Sequence, residues 1–175
     1  MSKLKNMRVI RIPPFRAVSS GEKTLDAIFG EGGFEAWCAA HRHLIRDLLY
    51  APANFLWHVG DPSTYGHGLN VLIYALKEDV TQEDTAPYEI IDFPGGMFLV
   101  ATGDEKDDAD LNETVRCMMD WIRESPVFEY GDFPRSGMCN MPDGNGEIDQ
   151  ALGIAQQQIF LPLKYKSIPI KKRNH

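Results

Sequence analysis

The chain has 175 residues, 43% hydrophobic and 25% charged, with 25 Asp+Glu against 18 Lys+Arg and a formal net charge of −7. That size and mix fit one globular domain, or two half-domains sharing a core, and the acidic balance disfavours a protein that holds nucleic acid by charge alone. No apolar run approaches the ~18 residues of a membrane helix and no signal-peptide stretch opens the chain, so the expectation is a cytoplasmic protein without membrane contact.

Met7-Arg-Val-Ile-Arg-Ile12 is β-branched and roughly alternating, and reads as a strand that Pro13-Pro14 interrupts before Phe15-Arg-Ala-Val18. Thr24 caps a short helix with Leu25, Ile28 and Phe29 as its apolar positions. Phe34, Trp37, Cys38, His41, Leu44, Ile45, Leu48 and Leu49 recur at three- and four-residue steps and predict one amphipathic helix ending before Pro52. Phe55-Leu-Trp-His-Val59 and Leu69-Asn-Val-Leu-Ile-Tyr-Ala-Leu76 read as strands, and residues 79–85 as a polar linker.

The second half runs in the same order. Tyr88-Glu-Ile-Ile-Asp-Phe93 and Met97-Phe-Leu-Val-Ala101 are strands around a Pro-Gly-Gly turn. A helix follows with Leu111, Val115, Met118, Met119 and Ile122 on one face and acids at its start, where they offset the helix dipole. It stops before Pro126. Strands near residues 136–141 and 158–163 complete the chain. Ile12-Pro-Pro-Phe-Arg-Ala-Val18, leading to Gly21-Glu22, and Phe93-Pro-Gly-Gly-Met-Phe-Leu-Val100, leading to Gly103-Asp104, follow one local plan. The expected fold class is therefore α+β: a duplicated β-α-β-β module, an antiparallel sheet with helices on one face, and a groove between the halves. The modules span residues 7–79 and 88–165, and residues 166–175 form a C-terminal tail.

Function belongs at that seam, because grooves between paired modules hold small ligands. Trp37, Trp57, Tyr65, Phe98, Trp121 and Phe160 are the large aromatics able to wall it, offering apolar area and a negative ring face that suits flat or cationic guests. Core packing is the competing role for each. Cys38, Cys117 and Cys139 are widely spaced and odd in number, which speaks against a disulfide framework. Cys38 and His41 share a helix face but lack further ligands, so no metal site is assigned. His58 and His67 lack a nucleophile or an orienting carboxylate. The stretch Met141-Pro-Asp-Gly-Asn-Gly-Glu-Ile-Asp149 imitates the middle of a calcium loop, yet Met141 and Leu152 stand where the first and last carboxylates belong, so it reads as a Gly-rich connection. No cofactor is called for.

With Ile12-Pro-Pro-Phe-Arg-Ala-Val18, Pro94-Gly-Gly-Met-Phe-Leu-Val100, Trp121 before Ser125-Pro-Val-Phe128, and the closing Ile159-Phe-Leu-Pro-Leu-Lys164, the chain resembles the GyrI-like small-molecule-binding domains, the effector-binding domains of AraC-type and multidrug-responsive regulators. The resemblance spans nearly all of residues 7–165. It implies a deep aromatic groove between the halves for drug-like, apolar or cationic aromatic molecules, in a stand-alone form serving as a sensor or sequestering protein without direct nucleic-acid binding. The family often carries one glutamate just before the closing isoleucine and another on the preceding strand. Here those places hold Gln158 and Met138-Cys139-Asn140, so Cys139, Gln158 and Asn140 join the candidate ligand-binding residues and no catalytic residue is assigned. A hydrolase of reactive small molecules, with Glu78, Glu89 or Glu129 as a substitute acid, is the second reading. A gyrase-inhibitor type of module with a protein partner is the third.

Overall fold

The computed structural model describes residues 4–46, 54–60, 68–140 and 150–167. Besides helical residues 150–152, they form β1 (Lys5–Ile12), β2 (Phe15–Ser19), α1 (Leu25–Phe29), α2 (Phe34–Ala40), β3 (Asn54–Val59), β4 (Leu69–Ala75), β5 (Glu89–Phe93), β6 (Gly96–Asp104), α3 (Asp108–Glu124), β7 (Phe128–Tyr130), β8 (Met138–Asn140) and β9 (Gln156–Tyr165). The strands join into one antiparallel sheet, ordered β1-β6-β9-β8-β3-β4-β2-β5, with β7 also on β9. The fold is α+β. Exchanging β1 with β5, β2 with β6, β3 with β8 and β4 with β9 turns this order into its own reverse.

Alternation divides the sheet into two faces. On one face, Val18 and Leu72 pack with Ile28 of α1 and with Phe34 and Cys38 of α2. Leu99, Ala101, Ile159 and Leu161 pack with Met118 and Ile122 of α3. The register carries that face across the junction, since Ile159 opposes Cys139, Cys139 opposes Leu56, and Leu56 opposes Leu72. Helices α1, α2 and α3 therefore cover the same side. None of α1, α2 and α3 lies on the opposite side, the helix-free face among these elements, which buries its own cluster, Ile12, Ala17, Phe55, Val71, Ile73, Phe93, Phe98, Val100, Met138 and Phe160. Strands from both ends of the order, β1 through Ile12 and β5 through Phe93, contribute to it, so the sheet curls around these side chains.

The structure departs from the sequence reading at several points. The helix drawn through Leu49 stops at Ala40 and gives way to a single 3₁₀ turn, Arg42–Leu44. Ile45 instead bridges Leu76: Arg46 N–H donates to Ala75 O at 2.9 Å and Lys77 N–H to Leu44 O at 3.0 Å. Backbone pairing with the end of β4 thus overrides the helical period, and residues 47–53 lie outside the described region. On α3 it is Thr114, with Met118 and Ile122, that is buried, while Val115 is exposed. Gly103 explains the choice, because a Cβ there would stand 2.7 Å from Leu111 Cδ2 and 3.5 Å from Thr114 Oγ1, so strand and helix meet along that line. The stretch taken as a polar linker is a tight turn with Val80 and Thr85 buried and the Gln82 side chain bonded to the backbone of Tyr88 and Ile90. Strand β7 was not anticipated; three residues are too few to show a period.

Candidate functional site

The ligand-binding candidates fall into separate groups. Phe98 and Phe160 sit side by side in the helix-free cluster, ring centroids 6.4 Å apart and nearly perpendicular. Trp57 packs at its margin, 6.3 Å from Phe93 and 5.7 Å from Phe133. Gln158 occupies the same face by alternation with Phe160. Trp37 is on the other side, where it stacks on His41 at 4.1 Å and meets Tyr88 edge-on at 5.2 Å. Trp121 is also on the helix side, stacked on Phe128 at 6.0 Å. With Leu4, Met7, Arg116, Cys117, Asp120 and Glu124 it lines a hollow of about 290 Å³ between β1 and α3. Cys139 alternates with Met138 and Asn140, which turns it toward the helix side. Tyr65 lies outside the described residues, as do His67 and the calcium-loop lookalike at 141–149.

Two aromatics that the sequence reading passed over belong to the helix-free cluster at its centre. Phe55 meets Phe160 edge-on at 5.3 Å and lies parallel to Phe93 at 6.0 Å, while Phe15 packs on Phe93 at 4.9 Å. Their placement follows from strand alternation, Phe55 with Trp57 on β3 and Ile91 with Phe93 on β5. That parity was readable in the sequence, but which parity faced away from the helices was not.

Polar chemistry enters this face beside Phe160. Thr102 opposes Gln158 across the β6–β9 ladder, and Gln158 opposes Asn140 across β8–β9. Thr102 Oγ1, Gln158 Oε1 and Asn140 Oδ1 are all buried without a hydrogen-bond partner among the described residues. Such an atom costs about 1–3 kcal/mol, and native interiors hold few of them.

The acids weighed as substitutes stand apart from that row. Glu78 and Glu89 are exposed. Glu129 is half-exposed on β7 and lies 3.9 Å from the Lys164 ammonium. Among the described residues no Asp or Glu is buried, and no group of three His, Cys, Asp or Glu stands close enough to share a metal ion. No described helix is long and apolar enough to cross a membrane. Burial, with the Glu35 carboxylate adding to it, pushes the Cys38 thiol up to about 12, which makes it a poor nucleophile.

No family model and no characterised protein sequence matches the chain. Solved structures do share its fold. A hydrolase from Listeria innocua is 12% identical, with 92% of this chain and 93% of that one covered and a TM-score of 0.61. The C-terminal domain of EcmrR is 12% identical over 91% of this chain and 97% of that one, with a TM-score of 0.59. SAV2435 bound to tetraphenylphosphonium is 14% identical over 91% and 94%, with a TM-score of 0.51. At these identities the likeness establishes the fold alone.

Proposed function

We propose that the protein binds a small molecule with an aromatic or apolar body on the helix-free face of its sheet, as a sensor or sequestering protein of the GyrI-like class in the cytoplasm. One observation carries this reading: Phe55, Phe93, Phe98 and Phe160 form a buried aromatic cluster on the side of the sheet that α1, α2 and α3 leave uncovered, with the partly exposed Trp57 at its margin, and aromatic walls suit a flat guest. The reversible strand order supports a duplicated module, with the β3–β8 contact at its seam. The likeness to SAV2435, which is seen with tetraphenylphosphonium, and to EcmrR, which is seen in a complex with DNA, favours an effector-type role. For the hydrolase reading, no acid is buried among the described residues to serve as its carboxylate.

Titration with tetraphenylphosphonium and with neutral naphthalene derivatives, followed by calorimetry, tests the proposal. Trp57→Ala is expected to weaken binding at least tenfold, whereas Trp37→Ala and Trp121→Ala, on the far side of the sheet, leave it within twofold. Binding that ignores Trp57 but follows Trp37 or Trp121 would move the site to the helix side. No binding by any compound would remove it.

A further inference from the structure

We propose that Thr102, Gln158 and Asn140 form the polar end of this binding face and select a neutral ligand that donates hydrogen bonds, a primary carboxamide or urea group on an apolar body, over a cation. The inference rests on reading the helix-free face as a ligand site.

The three residues lie in one row across neighbouring strands, because the register sets Thr102 against Gln158 and Gln158 against Asn140. Thr102 is 1% exposed and Asn140 4%. All three unpartnered oxygens are shielded from solvent, and they stand beside Phe160 and Met138 on the same face. The orientation of the Asn140 amide is fixed: the group facing the Asn54 carbonyl oxygen, at 3.3 Å, has to be the donor nitrogen, since a carbonyl oxygen only accepts. That turns Oδ1 away as a free acceptor.

The chemistry of the missing partner follows from the atoms left over. Two carboxamide oxygens accept only, and a threonine hydroxyl accepts or donates. With the Gln158 oxygen facing the row as it does here, what completes it is a donor. Neighbouring strands run about 4.8 Å apart, and an –NH₂ nitrogen making two bonds of about 2.9 Å spans about 5 Å between its acceptors. A primary amide or urea –NH₂ carries two such donors on one nitrogen, enough for two acceptors of the row. A desolvated cation needs a formal negative charge beside it, and no buried Asp or Glu supplies one among the described residues. A row of neutral amides and a hydroxyl therefore favours hydrogen-bond donation over charge.

Three probes that share one ring system separate the outcomes: naphthamide, methyl naphthoate and naphthyltrimethylammonium, each titrated calorimetrically into the whole protein. The amide is expected to bind at least tenfold tighter than the ester or the cation. Thr102→Val and Gln158→Leu bring the amide within twofold of the ester and leave the ester unchanged. Thr102→Val, close to isosteric, also raises the Tm of the ligand-free protein by about 2–4 °C, because it deletes an oxygen that has no partner. Equal binding of amide and ester, or tighter binding of the cation, overturns this inference and leaves the ligand site standing. A lower Tm for Thr102→Val overturns it as well, since the hydroxyl is then satisfied without a ligand. Silence from all three probes overturns both readings.

Discussion

Tyr74 on β4 donates its hydroxyl hydrogen to the Glu35 carboxylate of α2 across 3.4 Å, and Cys38 follows one helical turn later. Burial, reinforced by the Glu35 charge, pushes the Tyr74 phenol up to about 12 and the Cys38 thiol up to about 12, from ordinary values of 10.0 and 9.0. Both groups are neutral when protonated, and folding holds them so. The stability they contribute is thus complete below the unfolded thiol's value and is lost as pH rises toward the folded ones. Urea unfolding at about pH 8 and about pH 11 is expected to show a lower midpoint at the higher pH. Glu35→Gln should bring phenolate absorbance in at lower pH. An unchanged midpoint across that interval would contradict the assignment.

Gly95 and Gly32 share φ +69° but not their surroundings. A Cβ on Gly32 meets nothing within 4 Å, whereas on Gly95 it would press on the Ile12 carbonyl oxygen and come within 2.7 Å of Pro13 C and 2.8 Å of Pro14 N. The turn between β5 and β6 is thereby wedged into the break between β1 and β2. Gly32→Ala should cost about 1–2 kcal/mol, the left-handed backbone penalty alone. Gly95→Ala adds displacement of backbone atoms, another 1–3 kcal/mol or so, and is expected to unfold at clearly lower urea. Equal costs would mean that the wedge is slack.

Much of the strand plan was legible because β-branched runs bounded by Pro and Gly carry a local signal, as in β1, β4 and β6. The helix through Ile45 was misread because its competitor was nonlocal: the end of β4, some thirty residues on, supplies backbone partners that periodicity cannot anticipate. The candidate site was partly legible for the same kind of reason. Gln158 and Phe160 share a face at any register of β9, so their association follows from period two. Thr102 was missed, since its place beside Gln158 depends on which residues pair across β6 and β9. Trp37 and Trp121 were grouped with Trp57 by size alone, and size does not say which side of a sheet a ring occupies.

Helix α3 starts at an acidic cap that the sequence marked only as charge. Asp107 accepts from Ala109 N–H at 3.0 Å and Asp110 N–H at 3.1 Å. Asp107→Ala leaves those donors to water and should cost about 1 kcal/mol, a fall in Tm of about 2–4 °C. Asp107→Asn, which keeps the acceptor and drops the charge, is expected to recover most of the loss. Failure of Asn to do so would assign the effect to the dipole rather than to the bonds.

Phe160 is held between Phe55, at 5.3 Å, and Phe98, at 6.4 Å, with both neighbours nearly perpendicular to it. It is 2% exposed, in the centre of the helix-free cluster. Phe160→Ala is expected to cost about 3–5 kcal/mol, because rings fixed edge-on by the surrounding strands cannot close fully over the space left. On the side facing Phe55 and Phe98 such a space is apolar and accepts a ring of the deleted size. Benzene should therefore raise the Tm of Phe160→Ala by more than it raises that of the parent protein, and a thermal scan with saturating benzene reads the difference. If the variant loses its stability but shows no response to benzene, Phe55 has turned into the gap, and the face is softer than its packing implies. An equal response in the parent protein would show room for an aromatic guest beside Phe160 without any deletion, and would locate the ligand's apolar body there.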